Sequence, residues 1–381
     1  MKKEELHEML HPMKLIGLGG NQALAERIAA ALDKPLLETA VQHFSDGEIQ
    51  VNITESVRGC DVYVIQSIQD PVNENFMELM IVLDALHRAS AHSVNVVIPY
   101  MAYSRQDTKN RSREPITAKL LANLLQLTDI DDLIAVDLHA SQIQGFYNIP
   151  VDHLHAMPIL AQYFLDNGIA SKENDDVVVV SPDHSGAKLA RTFGSYFDAP
   201  IAIVDQRGAR YDAEAHDMIG DVKDKTVIIV DDLIDTGSRV ASSTRSVLAA
   251  GAKKVYVAAT HALLSQNAID VLNELPVEQI VVTDTIKHKK YPDRMVRLSV
   301  AMIRNYDPIC SSPNSKHSVF STFNSFNNYR NISNFLYFMN IIWSNILSRR
   351  SIHLCNALSF TLFTVPFIKE SQRYRISKIS S

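Results

Sequence analysis

The segment Val227–Ser238, which reads VIIVDDLIDTGS, decides the fold class of this chain. Its four leading apolar residues are typical of a strand that is buried on both faces of a parallel sheet. Asp231 and Asp232 follow at the predicted carboxyl end of that strand, where open α/β sheets bind their ligands. A Thr-Gly-Ser turn then leads into a predicted helix, and the backbone N–H groups of such a turn are suited to a phosphate.

Two interpretations of this segment differ in function. The Thr-Gly-Ser turn alone is compatible with an ordinary strand–turn–helix unit that has a polar N-cap. The two preceding carboxylates favour a phosphoribosyl site, because they would repel the phosphate itself but suit the ribose hydroxyls, or a hydrated Mg²⁺, beside it. We therefore expect a phosphoribosyl group to bind at this turn.

Apolar runs and amphipathic stretches alternate in the same way up to about residue 300. Further strands are predicted at 61–66, 94–98, 133–136, 177–180, 201–204, 255–258 and 279–282. Helices are predicted at 23–32, 76–89, 117–127, 158–167, 185–196 and 238–250. This alternation predicts an α/β fold with central, mainly parallel sheets flanked by helices. The elements form two comparable sets that meet near 152–158, which indicates duplicated domains.

Length, charge and cysteine content restrict the class of protein. The 381 residues are enough for two α/β domains, each with its own core. The net charge of -6 argues against a protein that binds nucleic acid by broad basic attraction. Cys60, Cys310 and Cys355 have no metal-ligand spacing, and the N-terminal stretch lacks the apolar core of a secretory signal. We therefore predict a cytoplasmic protein.

The last part of the chain has a different composition. All 13 glycines lie in the first 251 residues, and residues 311–381 are rich in Ser, Asn, Phe and Ile. Apolar stretches at 335–347 and 352–368 are too short or too interrupted for a membrane span of about 20 residues, so no membrane anchor is expected. We interpret residues 304–381 as an atypical tail on a globular protein, with disorder as one alternative.

The motifs resemble, in the same order, those of ribose-phosphate pyrophosphokinases, also called phosphoribosyl pyrophosphate (PRPP) synthetases. The resemblance extends from about Met13 to Val300 and includes FSDGEI at 44–49, ESVRG at 55–59, AYSRQD at 102–107, REPI at 113–116, DLH at 137–139, SPD at 181–183 and DDLIDTGS at 231–238. It implies transfer of the β,γ-diphosphoryl group of ATP to the 1-hydroxyl of ribose 5-phosphate, which gives PRPP and AMP. It also implies two tandem phosphoribosyltransferase-like domains, Mg²⁺ dependence and homo-oligomers, usually hexamers.

The resemblance also implies a division of the chain and of its site residues. An N-terminal domain at 13–155 would hold the ATP site and a flexible loop, and a C-terminal domain at 156–303 would hold the ribose 5-phosphate site. The implied ATP-binding residues are Phe44, Asp46, Glu48, Arg105, Gln106, Asp107 and His139. The implied ribose 5-phosphate-binding residues are Asp231, Asp232, Asp235, Thr236, Gly237, Ser238 and Arg239. The implied metal ligands are His139 and Asp183.

The chemistry of several of these residues agrees with the implied roles. Phe44, Asp46 and Glu48 alternate along an extended segment, so the ring is suited to stack on adenine beside a carboxylate that accepts its amino group. The resemblance places this segment at a subunit interface, in a neighbour's ATP site. Asp137 and His139 are two residues apart at a predicted strand end, and we expect their side chains to share a face.

The polar stretch 104–112 has two interpretations. Arg105 is suited to a polyphosphate because its guanidinium is a planar fork of donors. Lys109, Arg111 and Arg113 lack any periodicity, which is typical of a solvated charged loop. The family resemblance favours a mobile lid that brings these cations onto the transferring diphosphate, where positioned charge stabilises the transition state.

One loop departs from the family pattern at its catalytic positions. After the strand at 201–204 the family has Asp-Lys-Arg-Arg or a similar sequence, in which the lysine and the second arginine are catalytic. Gln206 and Gly208 occupy these positions. We expect Arg207 or Arg210 to supply the missing positive charge.

Two further departures lie at the predicted phosphate and metal positions. The family's Asp-Thr-x-Gly-Thr loop ends here in Ser238 and Arg239. Arg239 is expected either to strengthen phosphate binding or to crowd it. A Gly-Gly pair after the Ser-Pro-Asp motif is replaced by Ser185 and Gly186.

Three functional hypotheses follow, and the leading one is a Mg²⁺-dependent ribose-phosphate pyrophosphokinase. The alternative is a catalytically weak regulatory paralogue that binds nucleotide and co-assembles with an active synthetase, as Gln206 and Gly208 suggest. A phosphoribosyltransferase that acts on a purine base shares the 231–238 loop, but it does not explain the motifs at 44–48 and 105–107.

Overall fold

The computed structural model describes the parts of the chain that carry almost all of the predicted elements, namely residues 10–173, 176–205 and 217–301. These residues all belong to one compact unit. They form two mainly parallel sheets and one antiparallel hairpin. The predicted tail and the altered loop after the strand at 201–204 lie outside the described residues.

The first sheet consists of β1 (Met13–Gly17), β4 (Asp61–Ile65), β5 (Ser93–Ile98), β6 (Asp132–Val136) and β7 (Val151–Leu154). All five strands are parallel, in the order β1-β4-β5-β6-β7. The helices of this half are α1 (Gln22–Leu32), α2 (Val72–Arg88) and α3 (Thr117–Gln126). Along β4, Val62 and Val64 belong to one hydrophobic cluster, whereas Tyr63 and Ile65 belong to another. Both faces of the strand are therefore covered, which is why its sequence is continuously apolar.

The second sheet consists of β8 (Val177–Ser181), β9 (Ile201–Asp205), β10 (Asp217–Ile219), β11 (Thr226–Ile234), β12 (Lys254–Ala262), β13 (Gln279–Thr283) and β14 (Met295–Leu298). The order is β10-β9-β8-β11-β12-β13-β14, and only the β10–β9 pair is antiparallel. Its helices are α4 (Met157–Asp166), α5 (Ala187–Gly194), α6 (Ser238–Ala249) and α7 (Ala268–Asn273). Val227 and Ile229 of β11 pack on one face, and Ile228 and Val230 pack on the other.

A separate hairpin contains the FSDGE motif. Its strands are β2 (Thr39–His43) and β3 (Ile49–Ile53), which pair antiparallel. Phe44 to Glu48 form the turn, in which the N–H of Phe44 donates to the carbonyl of Glu48 over 2.8 Å. Short 3-10 helices are present at Gly19–Asn21 and Ser141–Phe146.

The predicted fold class is confirmed, since every strand and helix expected from the sequence is present with ends shifted by a few residues. The strands that the sequence did not indicate within the two large sheets are β1, β7, β10 and β14. These are the edge strands of the two sheets. An edge strand is covered less completely than a central one, so its sequence does not need a continuous apolar run.

Hydrogen bonds and apolar contacts join the two halves. Ser67 donates through Oγ to the carbonyl of Thr285 over 2.7 Å, and Asn21 donates through Nδ2 to the carbonyl of Asp284 over 2.8 Å. Val300, near the end of the described chain, packs in the same cluster as residues of β1 and β4. The division into domains at 155/156 stays a prediction. Among the described helices, none combines the length and apolar character needed to cross a bilayer.

Candidate active site

A cleft that encloses about 200 Å³ opens between the two sheets. One wall contains Arg105, in the segment after β5, and His139, which follows β6. The other wall is formed by residues 232–240, at the end of β11 and the start of α6. The carboxyl ends of parallel strands from both sheets therefore contribute to a single site, which is where α/β proteins bind ligands.

The two adjacent carboxylates lie within β11 rather than after it. Pairing of β11 with β8 ends at Ile229, whereas pairing with β12 continues to Ile234. The expectation that the strand ends at Val230 is therefore wrong, because β12 supplies partners for three further residues, Asp231, Leu233 and Ile234. As a result, Asp231 is paired with β12 only, and neither Asp231 nor Asp232 has a pairing partner in β8.

The pKa values of these two carboxylates are shifted in opposite directions. Asp231 is only 8% exposed, and burial, followed by the charge of Asp232, raises the pKa of Asp231. Burial would also raise the pKa of Asp232, but the 2.5 Å hydrogen bond from Nδ1 of His139, the charge of His139 and a hydrogen bond from Asp231 together lower that pKa. The hydrogen bond to Asp232 raises the pKa of His139. The cleft therefore favours an ionised Asp232 beside a protonated His139.

A second ion pair crosses the cleft between Arg105 and Asp235. Arg105 donates through Nη1 to Oδ2 of Asp235 over 2.8 Å, and Ser265 donates to Oδ1 of the same carboxylate. Burial would raise the pKa of Asp235, but these two hydrogen bonds and the charge of Arg105 lower it. Arg105 of the first sheet is thus bound to the predicted ribose 5-phosphate loop of the second.

The turn between β11 and α6 has the geometry of an anion site. Gly237 has a φ of +78°, and an added Cβ would lie 3.2 Å from Cγ of Leu272. Only glycine fits such a left-handed, crowded position without strain. The Oγ atoms of Thr236 and Ser238 are 2.9 Å apart, and α6 begins at Ser238 without a side-chain cap. The first N–H groups of α6 are therefore able to bind a phosphate.

Asp183 follows β8 and is surrounded by donors. Its Oδ1 accepts hydrogen bonds from Oγ of Ser185 over 2.5 Å and from the N–H of Gly186 over 3.0 Å. Its Oδ2 lies 3.4 Å from Nη1 of Arg239, and this same nitrogen lies 3.4 Å from Oδ2 of Asp231. The two predicted metal ligands thus have different neighbours, since His139 contacts Asp232 and Asp183 contacts Arg239.

Asp137 makes contacts that the sequence did not indicate. Its φ of +36° ends the strand alternation, and its side chain contacts other residues than that of His139 does. Its Oδ1 accepts from Nδ1 of His155 over 2.9 Å. Its Oδ2 accepts from the N–H of Ala156 over 3.0 Å and from Oγ1 of Thr260 over 2.6 Å. Asp137 therefore joins the loop that carries His139 to β12 of the second sheet.

Asp137, His153 and His155 have ligand atoms within 4.8 Å of one another, as a metal centre requires. However, Nε2 of His153 accepts the N–H of Leu138 over 2.9 Å, and both oxygens of Asp137 have protein partners. Burial lowers the pKa of His153 to about 4. We interpret the cluster as a structural link, and the sequence signal for it is DHLH at 152–155.

The remaining predicted ATP residues lie in two places. Gln106 accepts through Oε1 from Oγ1 of Thr117 over 2.6 Å, and Asp107 accepts through Oδ2 from Nε2 of Gln142 over 3.0 Å. Asp107 is close enough to His139 for its charge to help raise the pKa of that imidazole. The hairpin residues are elsewhere, since the cleft lining does not include Phe44, Asp46 or Glu48. Phe44 is 53% exposed.

Gln206, Arg207, Gly208 and Arg210 lie outside the described residues, and β9 ends just before them at Asp205. In the predicted lid, the N–H groups of Asn110 and Arg111 donate to Oε2 of Glu114 over 3.0 and 2.9 Å.

The donors in and beside the cleft fit a hard divalent cation. Asp232 and Asp183 offer carboxylate oxygens, which are the ligands that Mg²⁺ prefers, and Oδ2 of Asp183 also faces Arg239. Asp232 and Asp183 both have lowered pKa values, so they are ionised as ligands must be. In Asp183 burial opposes this, but the hydrogen bonds of Ser185 and Gly186 and the charge of Arg239 prevail.

Comparisons with known proteins identify the family. Residues 13–128 match the N-terminal domain of ribose phosphate pyrophosphokinase, and residues 176–304 match the phosphoribosyl synthetase-associated domain. A putative ribose-phosphate pyrophosphokinase 2 of Lactiplantibacillus plantarum is 52% identical over 291 residues, which are 76% of this chain and 89% of that protein. The ribose-phosphate pyrophosphokinase of Bacillus subtilis is 48% identical over 291 residues, which are 76% of this chain and 90% of that protein.

A solved structure gives the same result. The phosphoribosylpyrophosphate synthetase of Mycobacterium smegmatis superposes with a TM-score of 0.72 at 35% identity, over 82% of this chain and 98% of that one. The two ranges matched by the family models include Arg105 and the turn after β11, and His139 lies between them. The chain therefore belongs to the ribose-phosphate pyrophosphokinase family.

Proposed function

We propose that this protein is a ribose-phosphate pyrophosphokinase. The 1-hydroxyl oxygen of ribose 5-phosphate attacks the β-phosphorus of ATP, the bond from that phosphorus to the α,β-bridging oxygen breaks, and PRPP and AMP are released. The observation that carries the proposal is the cleft, in which Arg105 and His139 of one sheet face the Asp232–Val240 segment of the other. Such a site holds a polyphosphate and a phosphosugar against each other, which provides most of the catalysis in phosphoryl transfer.

The ribose 5-phosphate side of the cleft is assigned to the end of β11 and the following turn. The 5-phosphate binds at the start of α6, to N–H groups and to the hydroxyls of Thr236 and Ser238, which lie 2.9 Å apart. Asp231 and Asp232 bind the ribose hydroxyls. The raised pKa of Asp231 and the lowered pKa of Asp232 support this role, because together they offer both a donor and an acceptor.

The ATP side is assigned to the segments after β5 and β6. Arg105, Gln106, Asp107 and His139 are proposed to bind the triphosphate. Of these four residues, Arg105 and His139 are cationic. Arg105 pairs with Asp235 and His139 with Asp232, and both would exchange these partners for phosphate oxygens when ATP binds. Phe44, Asp46 and Glu48 are proposed to bind adenine of a neighbouring subunit in a homo-oligomer, which the exposure of Phe44 supports.

The metal is proposed to be Mg²⁺, held at the cleft through Asp232 and His139. Asp183, the other ligand that the resemblance implies, faces Arg239 instead. When bound, it neutralises charge on the triphosphate and on the transferred group. The residues of the chain orient the two substrates and supply further positive charge. Arg207 and Arg210 are proposed as catalytic cations, with Lys109, Arg111 and Arg113 of the lid in support.

The domain division and the compartment remain proposals as well. We propose domains at 13–155 and 156–303, each built around one of the two sheets. A cytoplasmic location is proposed from the cysteines, of which Cys60 is a buried free thiol. A reducing compartment keeps such a thiol unmodified.

Product identification tests the proposed reaction. The purified full chain is incubated with ATP, Mg²⁺ and ribose 5-phosphate, and the nucleotides are separated by anion-exchange chromatography. We expect AMP and PRPP to appear only when ribose 5-phosphate is present. Formation of ADP in place of AMP would show transfer of a single phosphoryl group and would overturn the proposal. Loss of added PRPP on addition of a purine base would instead indicate a phosphoribosyltransferase.

A further inference from the structure

Arg239 lies where three elements of the second sheet meet. It is the second residue of α6, directly after the phosphate turn, and it lines the cleft. Its Nη1 is 3.4 Å from Oδ2 of Asp183, which follows β8, and 3.4 Å from Oδ2 of Asp231 in β11. One guanidinium therefore bridges two carboxylates that come from different strands.

The two carboxylates differ in their hydrogen bonds and in their burial. Asp183 receives hydrogen bonds on Oδ1 from Ser185 and Gly186, so its partner on Oδ2 is Arg239. Asp231 is nearly buried, and the charge of Arg239 opposes the increase of its pKa. Arg239 thus supplies the positive charge that an ion held between these carboxylates would otherwise supply.

We propose that the guanidinium of Arg239 is a fixed cation that replaces a divalent metal ion at Asp183, so that this carboxylate is no longer a metal ligand. The inference rests on the proposed function, since it concerns the metal of the same cleft. The metal then binds through the opposite wall, at Asp232 and at His139, which loses its proton on binding. The threonine that the family pattern has at this position carries no charge and would leave Asp183 available.

Two physical effects support this exclusion. A divalent ion at Asp183 would lie within a few ångströms of the guanidinium, and like charges at such a distance repel strongly where water is partly excluded. In addition, Arg239 is part of the chain and is already held near Asp183. Its pairing therefore avoids the cost of taking a hydrated ion out of bulk water. Rotation of the Arg239 side chain out of the cleft is the competing event, and its side chain is 46% exposed.

Binding of Mn²⁺ alone tests the proposal, because Mn²⁺ takes the same oxygen ligands and its free aquo ion gives a strong electron paramagnetic resonance signal. The full chain is titrated without ATP or ribose 5-phosphate, so the result does not depend on whether PRPP is made. We expect Arg239→Thr to gain one Mn²⁺ site per chain, or to bind about tenfold more tightly. The gain disappears in the double variant Arg239→Thr, Asp183→Asn. Arg239→Lys, which keeps the charge, binds as the parent does.

The parent protein provides a second, independent measurement. Asp183→Asn in the parent background is expected to leave the Mn²⁺ affinity unchanged, because Asp183 is not a ligand there. A tenfold or greater loss of affinity in this variant would overturn the proposal, even if Arg239→Thr failed to fold. So would a folded Arg239→Thr protein, checked by circular dichroism, that binds Mn²⁺ as the parent does.

Discussion

His139 donates through Nδ1 to Oδ2 of Asp232 over 2.5 Å, although the two residues are 93 positions apart in the chain. The contact joins the loop after β6 of the first sheet to β11 of the second. It raises the pKa of His139 and, against the effect of burial, lowers that of Asp232. The two walls of the cleft are therefore held together by groups that are also assigned to substrate and metal binding.

Replacement of Asp232 by Asn should separate these roles. We expect Asp232→Asn to lower kcat/KM by about 100-fold or more, because a positioned charge is lost where charge is transferred. The pKa of His139, followed by NMR of its ring protons, should also decrease, since its anionic partner is gone. Asp84→Asn is the matched control, because Asp84 forms an exposed pair with Arg88. An unchanged pKa of His139 would contradict the contact.

The phosphate turn should tolerate no side chain at Gly237. We expect Gly237→Ala to lower the free energy of unfolding by about 1–2 kcal/mol, because φ is positive there. The close approach of Leu272 adds to this cost. The KM for ribose 5-phosphate should increase at the same time. Gly145→Ala is the control, since its φ is not positive and an added Cβ there meets nothing within 4 Å. Equal urea-unfolding curves for the two variants would show that the turn is not restrictive.

The buried link at Asp137 should contribute to stability. Thr260→Val keeps the shape of the side chain but removes the 2.6 Å hydrogen bond to Oδ2 of Asp137. We expect a loss of about 1.5–3 kcal/mol in the free energy of unfolding, which is typical for a hydrogen bond to a charged group. Thr192→Val, at an exposed position of α5, should change it little. Denaturant unfolding that finds the two variants equally stable would contradict the link.

The histidine next to this link predicts a pH dependence. Burial lowers the pKa of His153 to about 4, from an ordinary value of about 6.5. Between these pH values the unfolded chain binds a proton that the folded chain does not, so the free energy of unfolding decreases as the pH falls. His153→Asn should therefore lose less stability than the parent between pH 7 and pH 5 in urea unfolding. The control is His87→Asn, at a largely exposed histidine, and a parent-like loss in His153→Asn would refute the assignment.

Local sequence was sufficient for the central strands and for the phosphate turn. Continuous apolar runs such as Val177–Val180 and Val227–Val230 occur where both faces of a strand are covered, so the pattern reports the packing directly. The edge strands β1, β7, β10 and β14 were not predicted, because they lack such continuous apolar runs. The end of β11 was misplaced because Asp231 is polar but still paired with β12, as are Leu233 and Ile234 beyond it.

The contacts within the site were beyond any local pattern. Arg105 and Asp235 are 130 positions apart, and Asp137 and Thr260 are 123 apart. The packing of the two sheets determines which side chains meet across the cleft. The spacing of these residues along the chain does not indicate that packing. The motifs therefore indicated the residue types of the site, whereas the ion pairs that link its walls required the structure.

The central claim is that this cleft transfers a diphosphoryl group from ATP to ribose 5-phosphate. ³¹P NMR of one reaction mixture, containing the full chain, ATP, Mg²⁺ and ribose 5-phosphate, follows every phosphorus atom at once. We predict that the three ATP signals decrease while AMP and the diphosphate signals of PRPP increase in equal amounts. Folded protein that leaves the ATP signals unchanged, or that yields ADP without PRPP, would contradict the account.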